Sequence, residues 1–115
     1  METLAAYKER AEEVNYACNA LTCWVAEAED LAKEADAHLA RTGKTLGPLH
    51  GVPCTVKDHY ALKGYPVTMG LRKLRERYDN EGKGSRNDSA VCMALQNAGA
   101  IIFAKTNMTQ LGDTW

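Results

Sequence analysis

Gly47-Pro-Leu-His-Gly-Val-Pro-Cys-Thr-Val-Lys-Asp58 opens on a turn, runs apolar and ends on a pair of opposite charges. Pro48 and Gly51 punctuate the turn. Val52 to Val56 has the length and β-branched content of a short strand, with Lys57 at its end and Asp58 directly behind. A lysine brought to the mouth of an apolar strand can lose hydration, which disfavours its charged form and makes the amine a usable base. The other reading of Lys57 is a surface lysine at a strand end.

Downstream, Gly64 and Pro66 mark a second turn. The charged stretch 72–87 contains Gly82 and Gly84 and shows no clean periodicity, so it reads as a solvated loop or a frayed helix. Asp88 and Ser89 are suited to cap a helix running through Val91, Leu95 and Ala98 and closed by Gly99. Ala100 to Ala104 is a short, wholly apolar strand. Strand, helix and strand in that order make a βαβ unit with parallel strands. Two parallel strands make a poor sheet, so the chain reads as the opening section of a larger α/β domain, with residues 47–115 its strand–helix–strand segment.

Upstream, residues 1–41 read as helical. Leu4, Tyr7, Ala11, Val14, Cys18, Leu21, Val25, Ala28, Ala32, Ala35 and Leu39 recur at spacings of three and four along one face. Asn15, Asn19 and Thr22 are poor helix formers, and they predict a break near residues 18–23 and a second helix over 24–39. Gly43 is placed to end that helix, with Arg41 and Lys44 complementing its negative end.

Composition excludes several classes. Hydrophobic residues are 45% of the 115 and charged residues 25%, too apolar for a disordered chain. With 14 basic and 15 acidic side chains the net charge is −1, which leaves no footprint for nucleic acid or an anionic membrane. The longest uncharged apolar run, 98–104, is far short of the roughly 20 residues a membrane span needs. The charged N-terminus has no secretory pattern. A cytoplasmic location with reduced thiols at Cys18, Cys23, Cys54 and Cys92 is therefore expected. His50, Cys54 and His59 lie close in sequence but fall in turn and strand, and no metal is expected.

Four blocks in order carry a resemblance: Asn15-Tyr-Ala-Cys-Asn-Ala20, Gly47 to Asp58, Gly64-Tyr-Pro-Val-Thr-Met-Gly70, and Asp88 to Leu95 followed by Ala98-Gly-Ala-Ile-Ile102 and Lys105-Thr-Asn-Met108. Together they resemble the N-terminal portion of the amidase signature family, hydrolases that use two serines and a lysine. Several matched blocks in order are more specific than one short motif. The resemblance implies an α/β fold, a mixed sheet covered by helices, of which this chain is an incomplete part.

The same resemblance implies that Lys57 is the catalytic lysine. In that family its neutral amine accepts a proton from the nearer serine, which relays one from the nucleophilic serine. Backbone amides of a downstream Gly/Ser-rich loop hold the oxyanion. Asp58 reads as a turn former or as a partner supporting the lysine. Thr106 and Asn107 come directly after the last apolar strand, where open α/β sheets place binding groups, and are candidate substrate-binding residues. They read equally as local caps for the segment beyond Met108. Leu71, Ala104, Gln110, His59 and Tyr60 depart from common family residues and bear on subgroup and substrate.

Ser85 and Ser89 are the serines of this chain, and neither has Gly-Gly-Ser-Ser-Gly texture. The expectation is a fragment of an amidase-like hydrolase of C–N amide bonds that needs no cofactor and is inactive alone. Its partners would be a small-molecule amide substrate and a C-terminal part or a second copy. The amidase subunit of a tRNA-dependent amidotransferase stands within the same family. The alternative is a non-catalytic, amidase-derived scaffold whose amphipathic helices pack on a partner.

Overall fold

Leu21–Trp24 (β1), Pro53–Lys57 (β2) and Ile101–Thr106 (β3) form a three-stranded mixed sheet in the order β1–β3–β2. The computed structural model describes residues 1–113; the last two positions of the expected 47–115 segment lie outside the described residues. β3 is central and buried from Ile101 through Lys105, which is why residues 101–104 are a continuous apolar run and not an alternating one. β2 lies parallel to it, pairing Val56 with Lys105 and Lys57 with Thr106, as the βαβ reading expects. A register shift falls between Cys54 and Thr55.

The break expected near residues 18–23 is present, but it holds a strand, β1, where only an interruption between two helices was read. Glu2–Cys18 (α1) ends at Asn19 in the left-handed conformation, φ 50°, and the chain turns into a strand antiparallel to β3. The Asn15 Oδ1 accepts from Leu21 N at 2.8 Å, so the residue that spoils the helix also starts the strand. Leu21, Thr22 and Trp24 suit a half-buried pleated surface, and the second edge of an apolar central strand needs a partner. The apolar spacing carried into 21–24 looked helical because single-sequence periodicity cannot see that edge.

Ala28–Thr42 (α2) starts four residues later than expected, and it ends at Gly43 with φ 65°, as expected. Its buried face is Ala28, Ala32 and Ala35, small residues that let the helix approach β3 closely. The charged stretch forms a regular helix, Arg72–Glu81 (α3), with no buried residue. Its pairs Arg72–Glu76, Arg75–Asp79 and Arg77–Glu81 are spaced i,i+4 and support it without a core-facing stripe. Ala90–Asn97 (α4) is capped by Ser89, whose Oγ accepts from Cys92 N, and it packs on β3. Leu4, Val25, Val56, Leu62, Cys92 and Phe103 belong to the core, with Trp24 stacked on Phe103 at 6.1 Å.

The quoted segment is held against the α4–β3 corner. Leu49 N donates to Ala98 O and Gly51 N to Gly99 O, both at 2.8 Å. A Cβ at Gly47 would lie 2.5 Å from Ala98 O, so only glycine permits that approach. This contact sets where β2 begins and, at the far end of the strand, where Lys57 emerges.

Candidate active site

Lys57 and Thr106 end the two parallel strands side by side. The ladder closes with Asp58 N donating to Thr106 O at 2.9 Å. Paired residues in a parallel ladder face the same way, so Lys57 and Thr106 share one face while Val56 and Lys105 share the other. The Lys57 side chain is exposed, as is Thr55 two residues before it. The burial expected at this lysine is therefore not supplied by the described residues: the apolar run covers Pro53 and Val56, not the strand's last position.

The buried lysine is Lys105, wholly inaccessible on the opposite face. Its Nζ donates to the Asp58 main-chain O at 2.8 Å and to the Pro66 O. Burial pushes its pKa below the ordinary lysine value, and the negative Asp58 works against that shift. A lysine inside an apolar strand was the available signal, since Ala100 to Ala104 predicts burial for its neighbour as well.

Asp58 is also fully buried. Its Oδ2 accepts from Thr68 N at 2.9 Å, Thr68 Oγ1 at 3.0 Å and Met69 N at 2.7 Å, while Oδ1 has no hydrogen-bond partner among the described residues. Asp58 thus clamps a turn ten residues away instead of merely forming its own. That turn needs the clamp: Met69 takes φ 52° and Gly70 φ 69°. Tyr65 ties the same segment to α2, donating to Glu27 at 2.5 Å and accepting from Ala26 N at 2.7 Å. Burial and the Glu27 hydrogen bond push its phenol up to about 12.

Asn107 comes after Thr106, but its polar atoms are engaged locally. Oδ1 accepts from Met108 N at 2.9 Å, Nδ2 reaches Asn19 O at 3.5 Å, and the main-chain N donates to Ala20 O at 2.7 Å. It fastens the end of β3 to the α1–β1 corner, matching the cap reading of that residue. The structure brings Lys57 and Thr106 together in register and places Asn107 just beyond them.

Neither serine carries the texture of a nucleophile loop. Ser89 caps α4, and Ser85 exchanges main-chain bonds with Gly64 and Tyr65. His50 Nδ1 accepts from Leu46 N, and His59 lies against Tyr60 at 4.1 Å. No group of three or more His, Cys, Asp or Glu among the described residues is placed to hold a metal. A groove of about 510 Å³ lined by Leu31, His38, Leu46 and Ile101 lies at the amino end of β3, away from Lys57.

The site is thus a mixed sheet with an exposed lysine at the carboxyl end of β2, followed by a buried Asp58 that clamps the Thr68–Met69 turn. A family model described as Amidase matches residues 2–114. The chain belongs to the amidase signature family. It is 35% identical over 114 residues to an amidase of Gibberella zeae, covering 97% of this chain and 20% of that protein. It is 35% identical over 114 residues to an acylamidase of Rhodococcus erythropolis, covering 96% of this chain and 22% of that protein. A solved amidase structure superposes with TM-score 0.69 at 33% identity, over 95% of this chain and 23% of that one. A bacterial aryl acylamidase of the family shares the fold, with TM-score 0.80 over 96% of this chain and 22% of that one. The chain thus spans about a fifth of the length of these relatives.

Proposed function

We propose that this chain supplies the lysine base of an enzyme that hydrolyses C–N amide bonds through an acyl-serine intermediate. The observation that carries the proposal is the placement of Lys57. It ends β2 beside Thr106 on the exposed face, with its main chain held on both sides, inside the Gly47–Asp58 segment that resembles the family's lysine strand. A serine-bearing Gly/Ser-rich segment would complete the site on that face and withdraw the amine from water. Desolvation favours the neutral amine, which can then take the proton of a serine hydroxyl. That serine in turn takes the proton of the nucleophilic hydroxyl, which attacks the amide carbon while loop amides stabilise the oxyanion; the proton passes back to the departing amine, and water then cleaves the acyl-serine. This chemistry needs side chains and backbone amides alone. The name of the Rhodococcus relative, an acylamidase, supports amides of acyl groups as the substrate class.

The test joins this chain to the remainder of that relative, replacing the matching region, and measures amine release from an acyl anilide. Activity is expected, and Lys57→Arg, which keeps length and charge but cannot be deprotonated, should abolish it. Hydrolysis at the parent rate in the arginine variant would overturn the role of Lys57. A folded but inactive chimera would favour the scaffold alternative.

A further inference from the structure

We propose that Lys105 is a positioning residue for the Lys57 amine, a strut that grips the Asp58 carbonyl, one peptide further on, from the opposite face of the sheet. The inference rests on the role of Lys57 proposed above. Lys105 itself lies on the opposite face of the sheet from Lys57.

The argument starts from the polar groups around the Lys57–Asp58 peptide. Lys57 O accepts from Tyr60 N at 3.0 Å, and Asp58 N donates to Thr106 O at 2.9 Å. Asp58 O is already past the ladder, where no strand donor can reach it. Lys105 Nζ fills that place at 2.8 Å, and the same ammonium holds Pro66 O, in the turn the Asp58 carboxylate clamps through Thr68 and Met69. Lys105 pairs with Val56 in the ladder, so its side chain runs beneath the strand end toward the turn. β2 is an edge strand of the described sheet, with β3 as its one strand partner. Its last residue would swing with the 58–70 segment unless something ties both to the central strand.

A lysine is suited to that task. It has three donors on a long stem, enough to reach two carbonyls from separate segments. Burying an ammonium is costly, and an apolar residue would fit the core without the cost. The retained charge is therefore best explained by what it holds. Catalytic groups must be fixed within a fraction of an ångström, and a shift of about 1 Å can cost about 100-fold in rate.

The experiment uses the active chimera and compares Lys105→Met, which keeps the stem and removes the donors, with Lys105→Arg, which restores donors. Lys105→Met should lower kcat about 10- to 100-fold with KM within about twofold, and Lys105→Arg should recover part of the loss. Amide exchange at Asp58, Thr68 and Met69 should quicken in the methionine variant while Phe103 is unchanged. If Lys105→Met fails to fold, Thr68→Val is scored instead: it removes one donor to Asp58 and should lower kcat in the same manner by a smaller factor. Unchanged kcat in Lys105→Met, or in Thr68→Val where the methionine variant does not fold, overturns the positioning role. Activity that survives Lys57→Arg would instead overturn the base assignment, whatever Lys105 does.

Discussion

Lys57 ends β2 and Lys105 stands one residue before the end of β3, one step apart in the ladder, yet they could hardly be placed more differently. Lys57 is exposed, on the face the described residues leave open. Lys105 is sealed in the core on the other face, with its ammonium spent on two main-chain carbonyls. A one-residue offset in a strand reverses the face, and here it separates an exposed lysine from a buried one. The difference teaches that burial alone does not nominate a catalytic lysine. The buried amine spends two of its donors on main-chain carbonyls, while the exposed one is the proposed base.

The contrast can be broken most sharply at Lys57. In the active chimera Lys57→Ala should cost about 10²- to 10⁴-fold in kcat, the range for removing a general base. The same substitution in this chain should change unfolding free energy by no more than about 0.5 kcal/mol, as for an exposed position, measured in urea. Lys105→Met should behave in reverse in this chain, losing about 1–3 kcal/mol because two buried carbonyls lose their donor. Asp58→Ala should cost about 1.5–3 kcal/mol by releasing the Thr68–Met69 turn from a charged acceptor, read from the same urea midpoints. Ser89→Ala, far from either lysine, should cost about 1 kcal/mol through the lost α4 cap, and serves as the control.

A pH series sharpens the same comparison. The Lys105 pKa is lowered on folding from 10.5, so between its folded value and 10.5 the unfolded chain binds more protons. Its contribution to stability is therefore unfavourable at low pH and is relieved as pH rises through that window. Cys23 and Tyr65 are pushed up in the folded protein, Tyr65 to about 12, and oppose this above about 9 and 10. The expected result is a positive slope of the stability difference, wild type minus Lys105→Met, below pH 10.5. A flat difference would mean that the ammonium is not desolvated.

Much of this was legible in the sequence, and for identifiable reasons. The Gly47–Asp58 strand, the Ser89 cap and the Ala100–Ala104 run are local signals whose structures depend on few distant residues. Family membership came from ordered blocks. β1 was illegible because a four-residue strand beside a helix exists only through its pairing with β3, far along the chain. α3 was obscured because i,i+4 ion pairs, not an apolar stripe, support it. The burial at Lys105 instead of Lys57 turned on strand parity, and the clamp from Asp58 to Thr68 turned on how the 64–70 turn folds back. Asn107 showed its local role only once Met108 and Asn19 were in place.

The most direct measurement is chemical rescue of Lys57→Ala in the active chimera, with small primary amines added to the anilide assay. If Lys57 is the base, turnover lost in the alanine variant should return in part, rising with amine concentration and with the fraction of neutral amine. Turnover in the alanine variant within about twofold of the parent, without added amine, would contradict the account, since a general base is worth at least about 100-fold.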